Sequence, residues 1–279
     1  MTNQALAKLL SLGPARKFIE SSGSIPAFRG VYEKLSGAAR IYNSMDAARS
    51  AIRRYRPETR GHLERRLISS NFTLSSDIRM SDYPLLFWLR NIVAEEDLRI
   101  FDFGGGVGQT YANFSRMLPP EKLESWTCQD LPEVILHAGE EFFPEGVPAC
   151  LNFTTNLGEA NSSNVLLVAG ALHYWEGPMA HLLRELGSRP RHFFINRSPI
   201  RIAGRPFATV QEGRDWAVAC MVRSLPDLKS EMEAEGYTLV DQWVDLEKSL
   251  TFPWLPAWSS PYLGMYFRIK DELLYQIPG

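Results

Sequence analysis

From residue 98 onward, short apolar runs alternate with longer amphipathic stretches, which predicts strands and helices in turn. Arg99–Phe103 predicts the first strand, Ser125–Gln129 the second, Cys150–Thr154 a weak third and Arg191–Asn196 a fifth. The fourth, Val165–Ala169, is apolar throughout, as a strand covered on both faces must be. Helices are expected from Gln109 to about Met117, from Pro132 to Phe142, from Met179 to Leu186 and from Asp227 to Glu235, the last closed by Gly236. Tyr237–Val244 and Tyr262–Ile269 then read as two strands with no helix between them. Alternating strands and helices imply a parallel sheet covered on both faces, here ending in an antiparallel pair.

Residues 1–95 read as mostly helical. Ala5, Leu6, Leu9 and Leu10 share a face before Gly13-Pro14 interrupts. Asp46–Tyr55 and His62–Ser69 predict further helices, broken at Pro57 and Gly61. Tyr83–Ala94 is a strongly apolar helix with Ser81-Asp82 as its expected N-cap. Two regions are therefore expected: a helical N-terminal region, 1–95, acting as lid, acceptor-binding or dimerisation element, and a domain, 96–279, holding the sheet. The sequence shows no internal repeat and no low-complexity segment.

The loop after the first strand separates the candidate cofactors. The strand ends at Asp102 and runs into Gly104, Gly105, Gly106 and Gly108, where a backbone free of Cβ atoms admits close approach and positive φ. The following helix is expected to point its N-terminus at the bound group. A dinucleotide turn needs G-x-G-x-x-G, but the last position here is Gln109; a P-loop needs Gly-Lys-Ser/Thr, and no lysine follows. Asp-x-Gly-x-Gly-x-Gly after a strand resembles motif I of the class I S-adenosylmethionine (SAM) methyltransferases. That resemblance implies a Rossmann-like α/β fold with a mostly parallel seven-stranded sheet, SAM as cofactor, and Asp102, Gly104, Gly105, Gly106 and Gly108 at the cofactor.

Methyl transfer from a sulfonium is an in-line displacement, so catalysis is largely positioning and exclusion of water. A hydroxyl acceptor also needs a base. Asp130, at the end of the second strand, is placed to accept hydrogen bonds from ribose hydroxyls; its alternative role is N-cap of the helix beginning at Pro132. His173 follows the fourth strand at the carboxyl edge of the sheet, where an imidazole of ordinary pKa takes a hydroxyl proton; the alternative is a histidine packed in a loop.

Leu172-His173-Tyr174-Trp175 resembles the His-Asp-Trp stretch of plant-type small-molecule O-methyltransferases, whose histidine is the base, and Asp130-Leu131-Pro132 resembles their ribose-binding segment. Leu131 is implied at the cofactor and Tyr174 on the substrate side; Tyr174 stands where that family has Asp. Over nearly the whole chain, Phe28-Arg29-Gly30-Val31-Tyr32, Asp82-Tyr83-Pro84-Leu85-Leu86, the glycine loop, Leu172-His173-Tyr174, Asn196-Arg197-Ser198-Pro199 and Thr209-Val210-Gln211 occur in order. Together they resemble a little-characterised bacterial family of SAM methyltransferases associated with surface-polysaccharide gene clusters. The resemblance implies Arg197 and Gln211 as substrate-side residues. The chain departs from it at His173, where Gln is usual, and at Asn196, where an acid is usual.

Composition narrows this reading. The chain has 279 residues, 45% hydrophobic and 22% charged, as in an ordinary soluble protein. Three cysteines form no paired motif and neither they nor the five histidines show metal-ligand spacing, so a reducing compartment and no metal are expected. No cleavable signal and no run of membrane-spanning length are read, which makes the expected location cytoplasmic. Residues 1–70 carry 13 Lys/Arg against 5 Asp/Glu, and residues 71–279 carry 17 against 27. Arg49, Arg53, Arg54, Arg56, Arg60, Arg65 and Arg66 supply most of the basic excess. They lack interleaved aromatics, so a solvated helix face is favoured over a nucleic-acid surface.

The expected function is O-methylation of a small molecule or a sugar or polysaccharide precursor, with His173 as base. Alternatives are N-methylation of a small amine, a non-catalytic SAM-binding scaffold, and a dinucleotide oxidoreductase disfavoured by its missing glycine. Phe252–Trp258 is expected to form an apolar wall, at an acceptor pocket or in a homodimer contact.

Overall fold

Four consecutive residues of Val165–Ala169 (β4), Val165 to Val168, are fully buried, and the strand hydrogen-bonds a parallel neighbour on each side. The computed structural model to which it belongs describes residues 41–53, 78–143, 145–212, 217–252 and 255–270. The helices expected before Gly13 and over His62–Ser69, the motif at 28–32 and the arginines from Arg54 to Arg66 lie outside them. The chain divides into two compact units: Met1–Gly61 with Pro199–Ser224 and Ser249–Pro261, and His62–Ser198 with Leu225–Lys248 and Tyr262–Gly279. This division cuts across the boundary expected at 95/96.

The larger unit holds the sheet. β1 (Leu98–Phe103) pairs in parallel with β2 (Leu123–Gln129), and β2 with β3 (Leu151–Thr154). On the other side β4 pairs in parallel with β5 (His192–Arg201). β9 (Ser260–Ile269) pairs with both β5 and β8 (Tyr237–Leu250). Ile269 N–H donates to Arg191 O at the start of β5 (3.0 Å), and Lys270 N–H to Gly236 O before β8 (2.9 Å). The last strand therefore runs against both neighbours. Within the larger unit the order is β3-β2-β1-β4-β5-β9-β8, five parallel strands extended by an antiparallel pair, as the alternation predicted. Ile200 and Arg201, the end of β5 that belongs to the smaller unit, pair in parallel with Arg223 and Ser224 of that unit.

Helix α2 (Tyr83–Val93) buries Leu85, Leu86, Leu89, Ile92 and Val93, spaced to fall on one helical face, among Leu98, Ile100, Trp126 and Tyr266. Each such side chain contributes roughly 1.5–3 kcal/mol by leaving water. This face ties the helix to the sheet. Ser81-Asp82 does not cap it: a short 3-10 turn, Met80–Asp82, leads in, and the Asp82 side chain makes no capping bond. A buried carboxylate gains more from a cation than from an amide, and Asp82 turns to Arg197. Helix α3 (Gln109–Phe114) is shorter than expected, and Ser115–Met117 continues it as a 3-10 turn. Helix α4 (Pro132–Phe142) matches its expected bounds and packs Val134 and Ala138 on Val107. Helices α5 (Met179–Glu185) and α6 (Leu225–Ala234) complete this unit.

The smaller unit is built on a hairpin that the periodicity did not single out. β6 (Phe207–Glu212) runs antiparallel to β7 (Ala217–Ser224), in register from Phe207↔Val222 to Glu212↔Ala217. It is inserted between β5 and α6. The one helix described before α2, Met45–Arg53, is α1; its Met45, Ala48 and Ile52 cover Ala208, Val210, Ala217 and Ala219. Phe252 is buried with Phe207 and Val222, and Trp258 meets Phe207 edge-on at 5.2 Å. The aromatic segment after β8 thus serves this unit's own core; Pro253 and Trp254 lie outside the described residues. Among the described residues no helix is long and apolar enough to cross a membrane, and no His/Cys/Asp/Glu group is arranged for a metal. Cys128, Cys150 and Cys220 are free thiols.

Candidate functional site

The glycine loop joins β1 to α3, and its glycines answer to several constraints. Gly104 has φ +68°, and a Cβ on it would stand 2.3 Å from Ala171 Cβ. A Cβ on Gly105 would stand 2.8 Å from Asp102 Cγ. Those two positions are closed by the protein's own packing. Gly106 (φ +60°) and Gly108 (φ +89°) occupy left-handed backbone, and Gly108 stands at the N-cap of α3. Most of the loop amides are engaged internally. Gly104 N–H donates to Gln129 O (2.8 Å), Gly105 N–H to Asp102 O and Gln129 O (3.1 Å each), and Gly108 N–H to Gly105 O (3.1 Å). α3 itself has 6 residues, and the 3-10 turn Ser115–Met117 carries it to the expected end.

Gly106 N–H donates to Asp130 Oδ2 (3.0 Å), and Leu131 N–H to Asp130 Oδ1 (2.7 Å). Asp130 therefore links the loop after β1 to the chain after β2. Leu131 takes the N-cap position of α4, so the cap alternative for Asp130 is replaced by a bridging role.

Beneath the loop, Asp102 is almost fully buried. Trp126 Nε1–H donates to its Oδ2 (3.2 Å), while Oδ1 has no hydrogen-bond partner. Burial pushes this carboxyl up to about 7; the Trp126 bond and the positive charge of Arg197 only partly offset it.

His173 lies in the 3-10 turn Leu172–Tyr174 that follows β4 and Gly170. It is buried, its Nδ1 has no partner, and its ring centre is 4.1 Å from that of Tyr174. Its expected ordinary pKa is corrected: burial first, and then the nearby Lys248 charge, depress it to about 3. The ring is neutral at physiological pH. Tyr174 is partly exposed beside it, and Trp175 meets Phe103, the last residue of β1, edge-on at 6.2 Å.

Arg197 has φ +52°, the only positive value at a non-glycine among the described residues. Its guanidinium is buried and ion-paired with Asp82. Asn196 Nδ2–H donates to the same carboxylate (2.8 Å), and Asn196 Oδ1 accepts from Arg197 N–H and Trp243 Nε1–H, each at 3.1 Å. Trp243 Nε1–H also reaches Ser81 O (3.1 Å). Burial raises the Asp82 pKa against the pull of Arg197, and burial lowers that of Arg197 against the pull of Asp82. Arg197, expected to face substrate, is thus engaged within the protein. Gln211 lies in β6, opposite Val218, in the unit that does not hold the other candidates.

The ends of β1, β2 and β4 thus carry Asp102, the glycine loop, Asp130, Leu131, His173 and Tyr174, all in the larger unit. Sequence reasoning missed Asp82 and Trp126 as side-chain partners, and Trp243, Asp245 and Lys248 on β8. A tryptophan and two charged residues within a strand at the edge of the sheet were the available signal.

No family model matches the chain, and no curated protein matches it. Among solved structures it is similar to the magnesium protoporphyrin IX methyltransferase of Synechocystis with bound SAM, at 10% identity over 91% of this chain and 97% of that one, TM-score 0.45. It is also similar to a SAM-dependent methyltransferase of Mesorhizobium loti (17% identity, 67% and 97% covered, TM-score 0.45). A third is the CcbJ methyltransferase of Streptomyces caelestis (11% identity, 73% and 95% covered, TM-score 0.48). At these identities and scores the likeness carries neither activity nor ligand over to this chain.

Proposed function

We propose that this protein is a SAM-dependent methyltransferase acting on a hydroxyl of a small molecule or sugar precursor. The observation that carries the reading is the bond from Gly106 N–H to Asp130 Oδ2, 3.0 Å, at the carboxyl ends of β1 and β2. It joins a glycine-rich loop to a carboxylate at the end of the neighbouring strand, the two features that hold a nucleoside cofactor at the carboxyl edge of such a sheet. The resemblance of the Asp-x-Gly-x-Gly-x-Gly loop to motif I selects SAM over a dinucleotide.

When bound, SAM supplies an electrophilic methyl group for in-line displacement. Asp130 and Leu131 would hold its ribose side, and Gly104–Gly108 would form the cradle. His173 and Tyr174 would meet the acceptor. A base with a pKa of about 3 cannot ionise an alcohol beforehand. It can still take the proton, because a hydroxyl oxygen gaining a methyl becomes a protonated ether, a far stronger acid. His173 Nδ1, buried without a partner, is the atom proposed to orient that hydroxyl and receive the proton as the bond forms.

Calorimetric titration with SAM, S-adenosylhomocysteine, NAD and NADP tests the cofactor. S-adenosylhomocysteine should bind. Asp130→Ala should weaken it by tenfold or more, since a hydrogen bond to a charged group contributes roughly 1.5–3 kcal/mol. Binding of NAD alone would overturn the reading. Labelled SAM incubated with hydroxylated acceptors then tests methyl transfer itself.

A further inference from the structure

The Arg197 guanidinium is held on one side and open on another. Nη1 faces Asp82. Nε and Nη2 make no hydrogen bond among the described residues, and neither is fully buried, although only 12% of the side chain is exposed. This open edge lies beside Gly170, the residue after β4. Gly170 (φ +82°) donates its N–H to Asn196 O (2.8 Å). A Cβ on Gly170 would meet, beyond its chain neighbours, a single atom within 4 Å among the described residues: Arg197 Nε, at 3.9 Å. Arg79 and Lys248, the other cations in electrostatic range of Arg197, do not come to that position. Ala171, the next residue, closes on Gly104 of the glycine loop. Gly104, Ala171, Gly170 and Arg197 thus form a continuous run from the loop after β1 to the guanidinium, and the space a side chain would fill at Gly170 is left open in it. Arg197 is held there in left-handed backbone, and Asp82, Asn196 and Trp243 supply the frame that such strain requires.

We propose that the free Nε–Nη2 edge of Arg197 is a carboxylate site, and that it takes the amino-acid carboxylate of SAM. The assignment rests on the methyltransferase reading. Side by side, Nε–H and Nη2–H match the two oxygens of a carboxylate. The span agrees. Asp130 stands at the end of β2 and Gly170 at the end of β4, with β1 between them. Two strand spacings make that roughly 10 Å. About seven single bonds of ~1.5 Å separate the ribose from the carboxyl carbon of SAM, and extended they cover a similar reach. The charge agrees as well. Asp82 already neutralises Arg197, so the edge suits a single negative charge; a dianionic phosphate would bring a second one into range of Asp82 and Asp102. Anchors at both ends would fix the sulfonium between them, as in-line displacement requires.

The full chain is titrated calorimetrically with S-adenosylhomocysteine, with its carboxyl methyl ester, and with 5′-methylthioadenosine, which lacks the amino-acid end. The parent should bind S-adenosylhomocysteine about tenfold or more tightly than the ester, the size of one charge-assisted hydrogen bond. Arg197→Lys keeps a cation for Asp82 and loses the two-pronged edge. It should bind S-adenosylhomocysteine about tenfold more weakly, leave methylthioadenosine unchanged and no longer discriminate against the ester. A melting temperature confirms that the variant is folded. Equal weakening of all these ligands in Arg197→Lys would mean a structural role only and overturns the assignment. Equal affinity of the parent for S-adenosylhomocysteine and its ester overturns it without any variant. A loss confined to a carboxylated acceptor, with S-adenosylhomocysteine unaffected, moves the carboxylate to the acceptor and overturns it as well. If the parent binds none of these nucleosides, the methyltransferase reading itself fails, and the assignment with it.

Discussion

Asn196 donates its amide N–H to Asp82 Oδ1 across 2.8 Å, and the Arg197 guanidinium adds to the same oxygen. One carboxylate from the turn before α2 is thereby gripped by two consecutive residues in the middle of β5. Asn196→Asp would replace the donor by a second carboxylate at that distance. The expected cost is about 3 kcal/mol or more, because a buried bond is lost and a charge is left opposing another. One of the two carboxyls would then hold a proton in the fold that it lacks unfolded, so the penalty should grow as pH rises above the ordinary carboxylate range. Urea melts at pH 4 and pH 8 check this. An equal loss at both would show that packing, and not charge, sets the cost.

Gly104 faces Ala171 so closely that any side chain would overlap it. Gly104→Ala should destabilise by about 2–4 kcal/mol, part from left-handed backbone and part from the overlap. Ala171→Gly in the same chain should recover the overlap part alone. A double-mutant cycle with a coupling near zero would show that the loop moves aside instead.

The sheet was legible because its central strands are continuous apolar runs bounded by glycine and acid: β4 and α4 fall where periodicity puts them. The hairpin β6–β7 was not. Ala217-Val-Ala-Cys-Met-Val is apolar without alternation because α1 and Phe252 cover its two sides, and those covers come from distant parts of the sequence. The glycine loop and Asp130 could be named from motif and position. That the Arg197 charge is engaged could not, because its partner Asp82 lies 115 residues away and read locally as a helix cap.

Asp102 has its pKa raised to about 7 by burial. Between its ordinary value and about 7 the folded chain holds a proton that the unfolded chain has released. The stability tied to it is complete below about pH 4 and is lost as pH rises through 7. Asp102→Asn keeps an oxygen for the Trp126 N–H and removes the charge. Relative to the parent it should gain stability steadily from pH 4 to 7 and hold that gain above, up to about 4 kcal/mol. Melting temperatures across that range decide it; a constant offset would show that Asp102 is ionised throughout.

His173 works in the same pH window with the opposite sign. Its folded pKa of about 3 lies below its unfolded value near 6.5, so its contribution is whole above 6.5 and is lost as pH falls toward 3. The Asp102 and His173 contributions nearly cancel in the parent, and each single variant should unmask the other slope. His173→Gln should therefore resist acid better than the parent. If the imidazole takes the acceptor proton only as the methyl arrives, His173→Gln should lower turnover by about 10²–10⁴-fold and leave S-adenosylhomocysteine affinity unchanged. The parent's rate should show no limb at the ordinary histidine pKa, because the ring is already neutral there. A limb near pH 6.5 that disappears in His173→Gln would mean that the ring titrates as an ordinary base in the bound state. Near-normal turnover in the glutamine variant would leave His173 a positioning group, with glutamine supplying the same hydrogen bond.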